Sequence, residues 1–314
     1  MNHIVIVGAG YAGVHAAKTL EKRLRGRRDV AVTLVNRDRF HVLMTSLHEI
    51  AGGRVDKQAV RIPLHDLFAS GIVRLVTDTV EEVDYQGKTL RLASHPPISF
   101  DYLILATGSR PNYFGIEGAA EHAMPLWSLA DALAVRRMVS GRFEQAAQCA
   151  DPARRRELLS FLVAGGGFTG AELAGELARW CPRLCAHYGL DRGEVSLTLI
   201  EAMSAILPNL GPQAGSQAAA KLERMGVKVL TGAKIVKVEE NAACLADGAR
   251  LPGRLVWTAG IEGNPVNAGP LPLNNRGRFQ VDGCMCAGGG VFAAGGAQTY
   301  AEEGEPLPQM AAGA

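Results

Sequence analysis

Two glycine-rich loops carry the residues of this chain whose types and spacing suit nucleotide binding. One lies in the stretch IVIVGAGYAG at residues 4–13, and the other lies in FLVAGGGFTGAELAGEL at residues 161–177. Each contains G-x-G-x-x-G after an apolar run, and the six glycines are Gly8, Gly10, Gly13, Gly165, Gly167 and Gly170. The first glycine of this pattern permits a tight turn, the second admits a pyrophosphate against the backbone, and the third lets a helix pack closely on a strand. The sequence therefore predicts two dinucleotide sites, each with its phosphates at a helix N-terminus.

The segments around the first loop predict a Rossmann unit. Residues 5–7 and 30–35 read as buried parallel strands, and residues 13–25 read as the helix between them. Asn36 follows the second strand, where such folds usually carry an acid for the ribose. Its amide can hydrogen-bond a hydroxyl without charge, and Asp38 is either an alternative ribose partner or a turn residue. The alternative for one of the two loops is a strand-turn-helix with accidental glycines.

Glu201 stands at the corresponding position after the second loop, where it follows the predicted strand 195–200. A carboxylate at this position accepts hydrogen bonds from both ribose hydroxyls and repels a 2′-phosphate. The sequence therefore predicts NAD rather than NADP at the second loop. The alternative is a surface acid at the end of a strand.

Three other strands end in small residues, which would let the backbone approach a nucleotide closely. Residues 102–105 lead into Ala106, Thr107 and Gly108, residues 255–260 read LVWTAG, and residues 291–297 read VFAAGGA. Further strands are predicted at 73–77, 79–85, 89–92, 227–230, 235–239 and 277–281, with a helix at 129–149.

Composition and charge narrow the function classes. The 314 residues, 47% of them hydrophobic, suffice for about two globular domains. The net charge of +2 gives no basic field for nucleic acid, so we expect no nucleic-acid partner. No apolar run is long enough to span a bilayer, and Met1 leads almost directly into the first strand, which predicts no signal peptide. These features favour a cytoplasmic, reduced protein.

The cysteines and histidines indicate neither a redox pair nor a metal centre. None of the six cysteines precedes Cys149, whereas a disulfide reductase of this architecture needs a reactive pair in its first domain. The later pairs, Cys181 with Cys185 and Cys284 with Cys286, lack partners at zinc spacing. We expect no metal site. His41 and His48 are interpreted as helix-surface or flavin-side residues rather than ligands.

Several stretches together resemble a known family. They are GGGFTGAELAGEL, LHEIAGGR, DYLILATGS and VWTAGIEGNP. The chain resembles the two-dinucleotide flavoprotein oxidoreductases, and among them most closely the type II NADH:quinone oxidoreductases. The resemblance implies an α/β fold of two Rossmann-like domains. The NAD domain, at 116–269, would be inserted into an FAD domain formed by 1–115 and 270–314.

The resemblance also implies site residues and an activity. FAD would lie against Gly8, Ala9, Gly10, Tyr11, Ala12, Gly13, Asn36, Arg37, Val80, Ala106, Thr107, Gly108, Gly295 and Gly296. NADH would lie against Gly165, Gly167, Phe168, Thr169, Gly170, Glu201, Ala259 and Gly260. Glu172 would stand beside the nicotinamide and the flavin, or else be an acid in the first helical turn, favoured by the helix dipole. The implied activity passes hydride from NADH to the flavin and two electrons to a quinone, without proton pumping.

The sequence departs from the family at three points. Gly296 replaces an Asp that contacts the ribityl chain, so we expect weak FAD binding. The chain ends at Ala314, soon after LPQMAAG, where the family continues with membrane and dimer contacts. The Gln or Glu expected near the quinone has no match, since Ala312 and Gly313 stand there. These departures favour a fragment or a decayed copy with poor quinone reduction.

Two alternatives stay open beside the quinone reductase. One is a soluble NADH-dependent reductase of a small electron-carrier protein, and the other is an inactive nucleotide-binding remnant. For the first interpretation, the expected partners are NADH, a quinone and the inner face of the cell membrane, contacted peripherally, with a homodimer as one expected assembly.

Overall fold

A computed structural model describes residues 1–267 and 269–300. Its strands are β1 (Asn2–Val7), β2 (Val30–Asn36), β3 (Phe40–Val42), β4 (Arg61–Pro63), β5 (Val73–Thr77), β6 (Val80–Asp84), β7 (Thr89–Leu92), β8 (Ile98–Ser99), β9 (Tyr102–Leu105), β10 (Ser109–Pro111), β11 (Met124–Pro125), β12 (Ser160–Ala164), β13 (Ser196–Ile200), β14 (Val227–Leu230), β15 (Ile235–Glu239), β16 (Ala242–Leu245), β17 (Arg250–Pro252), β18 (Arg254–Trp257), β19 (Ile261–Gly263), β20 (Phe279–Val281), β21 (Cys286–Gly288), β22 (Val291–Ala293) and β23 (Gln298–Tyr300).

The helices alternate with the strands of the two large sheets. They are α1 (Tyr11–Arg23), α2 (Leu47–Ala51), α3 (Leu64–Leu67), α4 (Ala119–His122), α5 (Leu129–Ala147), α6 (Pro152–Leu158), α7 (Phe168–Tyr188) and α8 (Pro212–Arg224). Short 3-10 turns occupy Met44–Ser46, Lys57–Val60, Arg192–Glu194, Pro208–Leu210 and Gly295–Ala297.

The described chain divides into two compact units. The first comprises Met1–Leu43, Arg61–Arg110 and the described residues from Ile261 onward, and the second comprises Met44–Val60 and Pro111–Gly260. Residues 44–60, which the sequence analysis included in 1–115, pack within the second unit, where α2 lies against α5 and α7. The helix α2 is short and is separated from the main sheet by irregular backbone, so its sequence does not indicate which unit it packs against.

The first unit is built on a six-stranded sheet in the order β21-β22-β9-β1-β2-β5. The pairs from β22 to β5 are parallel, and β21 is antiparallel to β22 at the edge. Successive side chains of β1 point to opposite faces of the sheet. Val5 and Val7 therefore pack in one buried cluster, while Ile6 packs in another with Ala17 of α1. Burial on both faces explains the uninterrupted apolar runs in these strands.

The second unit repeats this plan with a five-stranded parallel sheet in the order β11-β18-β12-β13-β14. Every residue of β12 is buried, and the ring of Phe161 stacks on Phe143 of α5 with centroids 6.0 Å apart. The order β14-β13-β12-β18 matches β5-β2-β1-β9 of the first unit, so both sheets have the strand order of a Rossmann fold. The α/β fold class expected from the sequence is confirmed.

Candidate functional site

The first glycine loop joins β1 to α1 at the carboxyl edge of the first sheet. Gly8 has φ +100°, a conformation that favours glycine, and a Cβ there would overlap the carbonyl oxygen of Ala106. A Cβ on Gly13 would overlap the carbonyl oxygen of Gly8, whereas Gly10 has no atom within 4 Å of its Cβ position. The first and third glycines are therefore required by packing, and the second leaves open space above the backbone.

The second loop repeats this geometry between β12 and α7. Gly165 also has φ +100°, and a Cβ there would lie 2.6 Å from the Cα of Ala259. A Cβ on Gly170 would overlap the carbonyl oxygen of Gly165 and lie 2.7 Å from Thr258 Oγ1, while Gly167 again faces open space. The two loops share the same two packing constraints and the same open position, which favours a common role over accidental glycines.

Polar side chains that end the neighbouring strands brace both loops in the same way. The Asn36 side-chain oxygen accepts a hydrogen bond from Ala9 N at 2.8 Å, and its amide nitrogen donates to Asp38 O at 2.8 Å. Glu201 accepts from Gly166 N at 2.6 Å and from Met203 N at 2.7 Å. The Asn36 amide is thus committed to the loop, whereas the Glu201 carboxylate retains lone pairs for a ribose.

His41 is buried against the first loop, so it is not the helix-surface residue that the sequence analysis allowed, whereas its flavin-side alternative stays a prediction. It lies in β3, a strand rather than a helix, and is 5% exposed. Its Nδ1 is 2.9 Å from Ala9 O, which can only accept, and its ring meets Tyr11 edge-on at 5.0 Å. A three-residue strand is too short to show periodicity, so only its spatial pairing with β4 reveals this role.

The remaining residues predicted at the first site follow other strands of the same sheet. Ala106, Thr107 and Gly108 follow β9, and Gly295 and Gly296 follow β22, next to β9 in the sheet. A Cβ built on Gly295 would lie 2.9 Å from the Cβ of Ala12 in α1. The parallel register therefore gathers these segments at one edge, outside the strand ends where open α/β sheets bind ligands.

Two buried polar atoms at this edge support a bound polar ligand. Thr107 Oγ1 and Gln298 Oε1 have no hydrogen-bond partner within the part of the chain that the structure describes. Gln298 directly follows the turn Gly295–Ala297. Because buried polar atoms in folded proteins are nearly always paired, these two fit a group that brings its own donors and acceptors.

Two residues predicted at the first site lie apart from its glycine loop. Val80 is half-buried in β6, within the antiparallel sheet β6-β7-β8, and packs against the hydrophobic core of the first unit. The side chain of Arg37 is largely exposed and pairs with Asp38 at 3.3 Å. Their assignment to the cofactor stays a prediction.

The second site contains both exposed residues and tightly packed ones. Phe168 and Thr169 open α7 and are exposed, with the Phe168 ring among the large hydrophobic side chains that face solvent. Ala259 and Gly260 follow β18, and a Cβ on Gly260 would overlap the ring of Phe114. Phe114 itself has φ +52° and is 62% exposed, and its ring centroid lies 6.5 Å from that of Trp257.

Glu172 stands in the second turn of α7, because this helix begins at Phe168. Its position therefore does not match the alternative of an acid in the first turn. His48 Nδ1 of α2 lies 3.3 Å from its carboxylate, an approach that sequence spacing gave no means of foreseeing. Burial raises the pKa of Glu172, and the charges of Glu49 and Glu176 add to the increase while His48 opposes it.

A cavity of about 330 Å³ adjoins this pair. His48 and Glu172 line one part of it, and Arg179, Lys221 and Met225 of α7, α8 and the turn after α8 line another. Beside it, Arg54 bridges two acids, with contacts of 3.0 Å to Glu49 and 3.1 Å to Glu176. Glu172 is thus the member of this acidic group whose only described ion-pair partner is a histidine.

Cys181 and Cys185 are buried in α7, and burial raises the pKa of the Cys181 thiol to about 12. A thiol with that pKa is protonated and unreactive at neutral pH. Within the described residues, no three His, Cys, Asp or Glu side chains cluster as metal ligands. Nor does any helix of residues 1–267 or 269–300 have the length and apolarity to cross a membrane.

A sequence profile of the pyridine nucleotide-disulphide oxidoreductases matches residues 2–313, nearly the whole chain. The chain belongs to that family. Its curated relatives include type II NADH:quinone oxidoreductases of Mycobacterium tuberculosis and Staphylococcus aureus, which are 31% and 30% identical over 89% and 98% of this chain. The family resemblance read from the motifs is confirmed.

Solved structures of the family share the fold. NDH2 from Plasmodium falciparum in complex with NADH superposes on 95% of this chain with a TM-score of 0.87 and 19% sequence identity. The chain spans 65% of that structure, 63% of the M. tuberculosis relative and 78% of the S. aureus relative.

We expect Glu172→Gln to change how stability depends on pH. Because the pKa of Glu172 is raised in the folded state, this carboxyl group contributes stability below its unfolded value of about 4.3 and loses it as pH rises through the folded pKa. Glutamine does not titrate, so the melting temperature of wild type relative to the variant should fall as pH rises from about 4 through the folded pKa. The side chain is half exposed, which limits the effect to below about 1 kcal/mol. A pH-independent difference in calorimetry would contradict the raised pKa.

Proposed function

We propose that this family member is an FAD-dependent NADH dehydrogenase that passes two electrons from NADH, through the flavin, to a quinone. The observation that carries the proposal is the pair of glycine loops with identical constraints, one at the carboxyl edge of each Rossmann sheet. A chain with two such sites can hold an electron donor and a resident redox cofactor together.

The first loop is proposed to hold FAD. Gly10 leaves space for the pyrophosphate, and the N-terminus of α1 lies directly after it, where a helix attracts negative charge. Thr107 and Gln298 offer the unpaired polar atoms described above. Bound FAD would supply the two-electron chemistry that amino-acid side chains lack. The chain's task is to orient the cofactor and exclude water.

The second loop is proposed to hold NADH. Gly167 leaves the corresponding space at the N-terminus of α7. Glu201, fixed by two backbone N–H groups, would accept hydrogen bonds from the adenosine ribose. Glu172, four residues after Phe168 on the same helix, is proposed to act near the nicotinamide, with His48 holding its carboxylate.

The choice of a quinone as the electron acceptor is based on the names of the relatives. Those from M. tuberculosis and S. aureus are named type II NADH:quinone oxidoreductases, and that name supports a quinone here. Peripheral contact with a membrane, where quinones dissolve, and assembly as a homodimer belong to the same proposal.

Purified protein tests the proposal directly. Supplied with FAD, the chain should show a flavin spectrum that bleaches on addition of NADH under anaerobic conditions and recovers on addition of a water-soluble quinone. A small iron–sulfur carrier protein offered in parallel should reoxidise it more slowly. A colourless chain that binds no added FAD would contradict the flavin assignment, and faster recovery with the carrier protein would contradict the quinone.

We expect preference for NADH over NADPH, set by Glu201. Glu201→Ala or Glu201→Arg should narrow or reverse that preference by about tenfold or more, since one charge-assisted hydrogen bond contributes about 1.5–3 kcal/mol. Glu201→Gln keeps the shape and removes the charge, although its one side-chain oxygen can accept from only one of Gly166 N and Met203 N, so it too should narrow the preference. The ratio of kcat/KM values for the two nucleotides measures the effect. Equal use of both nucleotides by wild type would show that Glu201 is not the selector.

A further inference from the structure

A second cavity in the second unit gathers arginines. Its volume is about 300 Å³, and its charged lining comprises Arg137 and Arg142 of α5, Arg154 of α6, Arg254 of β18 and Glu240 of the β15–β16 turn. Four guanidinium groups therefore face one carboxylate around a space large enough for a small ligand.

The position of this cavity separates it from the nucleotide loops. Arg254 begins β18, and α6 ends directly before β12, so the cavity lies at the amino edge of the second sheet. Gly165 follows the other end of β12. Five strand residues span about 16 Å, which puts the cavity and the glycine loop at opposite edges of one sheet.

The charge of Arg142 is poorly compensated. Its guanidinium donates to Glu157 O at 3.1 Å, to Leu158 O at 3.3 Å and to the side-chain oxygen of Asn241. All three acceptors are neutral groups, although the carbonyls at the end of α6 carry a partial negative charge. Burial lowers the pKa of Arg142, and the positive charges of Arg254 and Arg154 lower it further.

The carboxylates nearby do not balance the other arginines. Glu157 pairs with Arg154 at 2.8 Å. Within the described residues, neither Arg137 nor Arg254 has a carboxylate at ion-pair distance, and Arg254 donates to the backbone carbonyl of Glu240 at 2.6 Å. Charges that leave water are normally paired, and Arg142 and Arg254 are half-buried, so the excess of positive charge around this cavity favours an anion inside it.

We propose that this cavity is a binding site for a compact phosphate-bearing anion, such as a diphosphate. Guanidinium forks bind phosphate oxygens in pairs, and several of them converging from three elements favour more than one phosphate oxygen at a time. In this site, Arg142 is held in place by neutral acceptors, and Arg137 and Arg254 provide the charges that no carboxylate of the described residues pairs with.

Inorganic pyrophosphate is the probe. Calorimetric titration uses the FAD-loaded full chain with saturating NAD⁺, because the nucleotide keeps the probe from the second glycine loop. We expect one equivalent to bind and to raise the melting temperature. The variant Arg137→Gln/Arg254→Gln should weaken binding by at least about tenfold.

Arg136→Gln/Arg250→Gln is the matched control. It also removes two positive charges, one from α5 and one from β17, which precedes β18 in sequence, but Arg136 pairs with Asp56 and Arg250 with Glu239, away from the cavity lining. This control should keep wild-type affinity. If the cavity variant fails to fold, Arg137→Gln alone carries the test, because that side chain is exposed. Equal losses in both double variants, a loss in neither, or no binding to wild type would overturn the proposal.

Flotation with vesicles identifies the source of the phosphate. Binding to phosphatidylglycerol but not phosphatidylcholine vesicles, lost in the cavity variant and displaced by pyrophosphate, assigns the site to a lipid headgroup. Pyrophosphate binding without such flotation assigns it to a free phosphate ligand. The absence of both overturns the site.

Discussion

Gly170→Val should strongly weaken NADH binding while leaving FAD in place. A Cβ at this position would overlap the carbonyl oxygen of Gly165 and approach Thr258 Oγ1 to 2.7 Å, and two further methyl groups deepen the clash. Backbone atoms cannot rotate away, so the loop must move. Overpacking of this kind typically costs about 1–3 kcal/mol, so displacement of the loop should weaken NADH by about five- to a hundredfold. Anaerobic titration of NADH against flavin bleaching measures the loss.

The first loop supplies a matched control for this result. A Cβ on Gly13 would overlap Gly8 O, just as a Cβ on Gly170 would overlap Gly165 O. Gly13→Val should therefore release FAD and leave NAD⁺ binding to the second loop unchanged. Gly175→Ala, on the same helix as Gly170, has its nearest contact at 3.8 Å and should change neither cofactor. Unchanged bleaching in Gly170→Val, or loss of FAD in place of NADH, would contradict the assignment of the loops.

The geometry of the loops was predictable because it depends on local spacing. Three glycines at fixed intervals, an apolar run before them and a polar residue after the next strand are all contiguous in sequence, and their geometry follows from backbone constraints alone. The same reasoning found Glu201, and the structure adds that this acid also braces the loop through Gly166 N. Parallel strands then bring distant small-residue ends, such as Ala106 and Gly295, to one edge.

Contacts made by short or irregular segments could not be predicted in this way. His41 supports the first loop from a three-residue strand, and His48 meets Glu172 from a five-residue helix that packs within the second unit. Neither segment is long enough for a periodic pattern. The arginine cavity was missed for a related reason, because Arg137, Arg154 and Arg254 are separated in sequence and look like ordinary solvated charges one at a time.

Gly296 shows how packing changes an expectation drawn from the family resemblance. The resemblance implies that Gly296→Asp would restore a hydrogen bond to FAD and tighten its binding. In the structure, a Cβ on Gly296 would overlap Ser109 Oγ, and this buried hydroxyl donates to Gly296 O at 3.1 Å. The substitution therefore requires the Ser109 side chain to move before any carboxylate can reach the cofactor.

We therefore expect Gly296→Asp alone to lower stability by about 1–3 kcal/mol without tightening FAD, and Gly296→Asp/Ser109→Ala to tighten it. Removing the hydroxyl leaves Gly108 C, at 3.3 Å, as the nearest atom to the new Cβ. A charge-assisted hydrogen bond then contributes about 1.5–3 kcal/mol, or about ten- to a hundredfold in affinity. Ser109→Ala alone completes the double-mutant cycle, which isolates the coupling between the two positions. Fluorescence titration of FAD and thermal melts of all four proteins give the two readouts. If the single Gly296→Asp variant binds FAD more tightly than wild type and melts no lower, Ser109 does not restrict this position and the simpler expectation from sequence is correct.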